Sequence, residues 1–175
     1  MNYQFNFLDE PTINKSEDYL KVFSEKKPFK VNVIDLFCGC GGLSLGFKRE
    51  GFNILAGLDN DESALKTFNH NLDTLALNTD LGSPTYVDEI KEQINGQSVD
   101  VIIGGPPCQG FSLTGTRILN DPRNSLFKSF FNSIDVFNPR VVLLENVKGM
   151  NTLYGGVVIK QINSEFELRG YKTVS

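Results

Sequence analysis

The sequence has no surplus of positive charge. Its 17 Lys and Arg stand against 21 Asp and Glu, for a net charge of -4. Such a chain does not grip a polyanion by bulk charge, so any nucleic-acid contact must come from a local basic face or another segment. Cysteine is scarce. Cys38, Cys40 and Cys108 are an odd number, so no disulfide framework uses all three. A reducing, intracellular setting is expected. The single histidine, His70, lies in a polar helical stretch and reads as a surface residue, which leaves the Cys38/Cys40 pair without further ligands at metal-site spacing. No metal is expected. No apolar run approaches the roughly 18 residues of a membrane span. The first residues lack the basic start and apolar stretch of a signal peptide. There is no internal repeat and no low-complexity tract.

What is present is a rhythm. Residues 1–30 mix charges with Pro11 and Pro28 and read as an extension or short helix leading into a domain at 31–175. From residue 31, apolar runs alternate with amphipathic stretches. The runs are 31–37, 53–59, 74–77, 99–105 and 140–146; the helical stretches are about 42–50, 61–70, 83–95, 122–137 and 154–169. Near-continuous apolar strands alternating with helices imply a mostly parallel sheet covered on both faces, a doubly wound, Rossmann-like α/β fold. Ligands in such sheets bind beyond the carboxyl ends of the strands. Polar and special residues gather there: Asp35 to Gly39, Asp59-Asn60-Asp61, Asp80-Leu81, Pro106 to Gln109, and Glu145-Asn146-Val147.

The first turn, Phe37-Cys38-Gly39-Cys40-Gly41-Gly42-Leu43, suits close backbone approach to a nucleotide-like cofactor. It fails the G-x-G-x-x-G dinucleotide pattern, because Ser44 stands where the third glycine would fall. Asp59 can accept hydrogen bonds from ribose hydroxyls, and Asp80 from an adenine amino group. Together they fit an adenosine moiety without separating S-adenosylmethionine from a nicotinamide cofactor. At the fourth strand end, Pro106-Pro107 stiffens the backbone before Cys108, and a stretch rich in Gly, Ser and Thr follows. A thiol on a rigid stem beside a loop of that kind suits a nucleophile. Glu145 ends the next apolar strand, where partial desolvation suits a carboxyl group that holds a proton. The strands leading to Cys108 and Glu145 are expected to be neighbours.

Three segments, DLFCGCGGLSLGF, GGPPCQGFS and ENVKGM, resemble in order and spacing signature blocks of the DNA (cytosine-5) methyltransferase family, over about residues 31–175. A weaker block is Asp121 to Leu126. The resemblance implies an S-adenosylmethionine-dependent methyltransferase fold. Phe37 would stack near the adenine, Asp59 would hold the ribose and Asp80 would meet the adenine amino group. Pro106 and Leu126 would line the methionine side. Gly39, Gly41, Asn60 and Leu81 complete the cofactor set. Cys108 would be the nucleophile, and Glu145, supported by Asn146, would contact a flipped cytosine of duplex DNA. Lys148 and Arg123 are candidates for DNA contact. The family's Gln-x-Arg-x-Arg block, its target-recognition region and its closing helix have no counterpart here. The expectation is therefore a fold incomplete at its C-terminus, a fragment or one part of a split enzyme, with a second polypeptide as a candidate partner. A non-catalytic cofactor-binding subunit, a tRNA cytosine methyltransferase and, more distantly, a nicotinamide oxidoreductase stay open.

Overall fold

The computed structural model describes residues 4–7, 30–74, 76–107, 125–145 and 156–174. Seven strands form one sheet: β1 (Gln4–Phe7), β2 (Asn32–Leu36), β3 (Asn53–Asp59), β4 (Ala76–Asn78), β5 (Val101–Gly104), β6 (Val141–Leu144) and β7 (Lys172–Val174), in the order β4-β3-β2-β5-β6-β1-β7. The pairs β3/β4, β2/β3, β2/β5 and β5/β6 are parallel. β1 is antiparallel to both β6 and β7. The five apolar runs thus became five adjacent parallel strands. Residues 4–7, within the stretch taken from sequence as an extension, form a strand inside the sheet.

The helices are α1 (Gly42–Arg49), α2 (Glu62–Asn71), α3 (Tyr86–Ile94), α4 (Ser125–Phe137) and α5 (Val157–Leu168). They divide between the faces as strand alternation dictates. Ile34, Ile102, Val142 and Leu144 face one way and pack with Ile90 of α3, Phe127 and Phe130 of α4 and Phe166 of α5. Val33, Val101, Ile103 and Leu143 face the other way and pack with Leu65 and Phe68 of α2 and with Leu43 and Phe47 of α1. Two apolar layers on one sheet are the doubly wound architecture.

The last turn of the fold is fastened by Arg169. Its guanidinium bonds Asp135 of α4 at 2.7 and 3.0 Å and Glu165 of α5 at 2.6 Å, and it lies 4.7 Å over the Phe131 ring. Tyr171 donates its hydroxyl to the Pro139 carbonyl at 2.7 Å. These bonds join α4, α5 and the start of β7.

The chain runs β2-β3-β4 toward one edge and then returns to place β5 on the other side of β2. The reversal opens a crevice between the carboxyl ends of β2 and β5, the usual ligand position in an open α/β sheet.

Candidate active site

A cavity of about 300 Å3 lies at that reversal, walled by Phe37, Asp59, Asn60, Thr79, Asp80, Leu81, Gly105, Pro107 and Leu126. Each contribution follows from where a strand ends. Phe37 follows β2, Asp59 ends β3, Thr79 to Leu81 follow β4, Gly105 and Pro107 follow β5, and Leu126 comes from the first turn of α4.

The turn after β2 is held in an unusual backbone. Phe37, a non-glycine residue, sits at φ 61, a left-handed conformation a bulky side chain rarely adopts. Gly41 is at φ 84 and has a second reason to lack a side chain. A Cβ there would come within 2.7 Å of Leu72 Cδ1 and Phe68 Cδ2. The ring of Phe68 also fills the space beside Gly57, where a Cβ would lie 2.5 Å from its Cζ. One fully buried phenylalanine of α2 thus supports both the turn and the adjoining strand.

Asp59 braces the site. Its Oδ2 accepts from Gly39 N at 2.8 Å and its Oδ1 from Asp61 N at 2.9 Å. The carboxylate joins the turn after β2 to the turn after β3, and each oxygen keeps a further lone pair for a ligand. Asp61 caps α2, accepting from Ser63 N at 2.8 Å and Ala64 N at 3.1 Å. Asp80, exposed, accepts from Gly82 N at 2.8 Å through Oδ1. Thr79 is buried and donates to Glu89 Oε2 at 2.5 Å, tying the turn after β4 to α3.

Behind the turn lies Asp35, 1% exposed, in the middle of an apolar layer. Its Oδ2 accepts from Ser44 Oγ of α1 at 2.7 Å, while its Oδ1 has no partner. Burial raises its pKa from the ordinary 3.8 to about 7; the Ser44 hydrogen bonds oppose the rise and nearby Asp59 adds to it. Cys38 is also buried. Burial first, then the carboxylates of Asp35 and Asp59, push its thiol well above the usual range. Cys38 therefore stays protonated and serves packing, with its Sγ beside Gly57. Cys40 is exposed.

Of the residues singled out from sequence, Phe37, Asp59, Asn60, Asp80, Leu81 and Leu126 share the cavity wall. Gly39, Gly41 and Pro106 are not on it. Gly39 acts through its N–H to Asp59, Gly41 packs on α2, and Pro106 is buried while Gly105 and Pro107 face the cavity. Thr79 was missed; its position directly before Asp80 at a strand end was the available signal. Glu145 is half-buried at the end of β6, its N–H donating to Gly104 O of the neighbouring β5 at 2.8 Å. Cys108, Asn146, Arg123 and Lys148 lie outside the described residues. His70 is exposed. Among the described residues, no group of three His, Cys, Asp or Glu side chains could hold a metal ion, and no helix is long and apolar enough to cross a membrane.

Chemically, the cavity offers two carboxylates for hydroxyl or amino donors, an aromatic ring for a flat heterocycle, and apolar walls at Leu81 and Leu126. The chain is 43% identical over 145 residues to the Type II methyltransferase M.DdeI of Desulfomicrobium norvegicum, covering 81% of this chain and 34% of the relative. It is 40% identical to M.AgeI of Thalassovita gelatinovora, covering 81% and 33%. With M.BsuRI of Bacillus subtilis the identity is 33%, covering 95% and 43%. The chain thus spans well under half the length of these relatives. A DNA modification methyltransferase encoded in an Escherichia coli prophage superposes with a TM-score of 0.62 at 34% identity, covering 78% of this chain and 37% of that one. The Dnmt2 methyltransferase of S. pombe, at 21% identity and a TM-score of 0.63, covering 82% and 42%, shares the fold. The sequence profile of the family described as C-5 cytosine-specific DNA methylase matches residues 31–174, nearly all of the chain from the first parallel strand onward, and the chain belongs to that family.

Proposed function

We propose that the protein transfers a methyl group from S-adenosylmethionine to C5 of cytosine in duplex DNA, as part of a bacterial restriction-modification system. This chain supplies the cofactor cavity and the groups that act on the base. The observation that carries the proposal is the cavity at the β2/β5 reversal, with Phe37, Asp59 and Asp80 in its lining. That donor set fits an adenosyl group. Asp59 would accept from the ribose hydroxyls, Asp80 from the adenine amino group, and Phe37 would lie against the adenine. Leu126 and Pro107 would bound the methionine side.

When bound, S-adenosylmethionine supplies a sulfonium-activated methyl group. The protein must make C5 of cytosine nucleophilic, because the unmodified ring is unreactive there. Cys108, three residues beyond Gly105 in sequence, is assigned as the nucleophile. Its thiolate adds to C6 and shifts electron density to C5, which splits one difficult step into easier ones. Glu145, just past the end of the adjacent strand β6, would hydrogen-bond the base at N3 and its amino group and so make C6 more electrophilic. C5 would then take the methyl group, its proton would pass to water, and departure of the thiolate would restore the ring. The base cannot be reached inside the duplex and must be extruded.

Trapping tests the proposal. Duplex DNA containing 5-fluorocytosine, incubated with the protein and S-adenosylmethionine, is expected to form a covalent adduct stable to denaturing electrophoresis. Cys108→Ala should form none. Absence of an adduct with the unmodified protein, under conditions where it binds cofactor, would favour a cofactor-binding subunit without catalysis. Preference for tRNA over duplex DNA in methyl transfer would reassign the substrate.

A further inference from the structure

Gly104 ends β5 and Gly105 follows it, and the structure gives the two glycines different reasons. At Gly104 a Cβ would collide with the backbone carbonyl of Leu36 in the neighbouring strand, so this glycine is required by the sheet itself. Gly105 has no such constraint. It is absent from the positive-φ glycines, so its backbone is open to any residue. The nearest atoms to a Cβ at Gly105 all belong to Glu145: Oε2 at 3.0 Å, Cβ at 3.6 Å and the carbonyl oxygen at 3.8 Å. The two residues form the first rung beyond the β5/β6 ladder, closed by the bond from Glu145 N to Gly104 O at 2.8 Å. Gly105 also lines the cofactor cavity.

We infer that Gly105 is a positioning residue for Glu145. The absence of a side chain at 105 lets the Glu145 carboxyl group lie against the chain beside the cavity, and a side chain there displaces that carboxyl group. The inference rests on the proposed role of Glu145. A methyl group at 105 is tighter against Oε2 than ordinary packing allows, and Oε2 is the far end of a flexible side chain. Relief comes by moving the carboxyl group a few tenths of an ångström, with the strand undisturbed. A group that must meet N3 of an extruded base tolerates little displacement, since a shift of about 1 Å at a reacting centre can lower a rate by about 100-fold.

A mutant cycle tests this in single-turnover methyl transfer to duplex DNA. Gly105→Ala is expected to lower the rate about 10-fold and Gly105→Val about 100-fold. In a Glu145→Asp background the carboxyl group is drawn back by one methylene. There Gly105→Ala should change the rate by less than about 2-fold, the signature of two residues coupled through contact. The same loss in both backgrounds would overturn the inference. Glu145→Ala separates the two levels. If it reacts at the unmodified rate, the role of Glu145 fails and the inference with it. If it is inactive while Gly105→Ala is unimpaired, only the inference fails. A crystal structure of Gly105→Ala gives a readout independent of activity: a displaced Glu145 carboxyl group is expected, and an unmoved one overturns the proposal.

Discussion

Asp35 makes stability depend on pH in a calculable way. The carboxyl group is held in an apolar layer with hydrogen bonds from Ser44 alone and an unpartnered Oδ1, and its pKa is raised from 3.8 to about 7. The folded chain therefore holds this proton over a range where the unfolded chain releases it. Its contribution is most favourable below about pH 3.8 and is lost as pH rises through about 7. Linkage over the window from pH 5 to pH 8 amounts to about 2–3 kcal/mol of lost stability from this one group. Asp35→Asn cannot ionise, and its carbonyl can still accept from Ser44. The fixed effect of placing an amide there is the same at every pH and drops out of the comparison. Urea unfolding followed by circular dichroism at pH 5, 6, 7 and 8 measures the difference. The wild-type midpoint should fall relative to the variant by roughly 1 M across that range, for a slope of about 2 kcal/mol per M. Midpoints that run parallel for the two proteins from pH 5 to pH 8 would refute the reasoning and mean that the carboxyl group is hydrated.

Asp59→Ala removes a carboxylate that bonds two turns and faces the cavity, and should weaken S-adenosylmethionine binding by about 10- to 100-fold; an unchanged dissociation constant in calorimetry would take Asp59 out of the site. Phe68→Ala empties the space beneath Gly41 and Gly57 and should lower stability by about 3–5 kcal/mol in denaturant unfolding. Arg169→Met loses the bonds to the partly exposed Asp135 and Glu165 and the contact with Phe131, for only about 1 kcal/mol, measurable as a small shift in the urea midpoint that shrinks in high salt. Cys108→Ala should abolish methyl transfer while cofactor affinity, measured by calorimetry, changes by less than about 3-fold; a parallel loss of binding would make the thiol structural.

Much of the fold was legible because its core strands are apolar on both faces. Each of the runs at 31–37, 53–59, 99–105 and 140–146 contains its strand, since a strand covered by helices on both sides has no polar face to blur the pattern. β1 was not legible. Gln4–Phe7 is a four-residue segment whose place is set by pairing with β6 and β7, far along the sequence, and local pattern carries no trace of that. At the site, the strand-end carboxylates Asp59 and Asp80 stood out because charge after an apolar run is conspicuous. Thr79 did not, because a buried threonine bonded to Glu89 resembles any other β-branched residue in sequence. The Pro-Pro pair stood out after an apolar run, but which proline faces the cavity is decided past the end of the β5 ladder, where the alternation of the strand no longer governs direction. Asp35 was seen as a strand-end residue, whereas its burial and its bond to Ser44 depend on how α1 folds back.

The position of β1 imposes an order of events on synthesis. Gln4 pairs with Leu144 and Phe5 with Val174, so residues 4–7 find their places only after the long stretch of chain up to β6 and β7 has been made. At roughly 5–20 residues per second, that interval lasts on the order of ten seconds or more. Throughout it, residues 4–7 are without a mate, and a holdase that shelters them would have its window then.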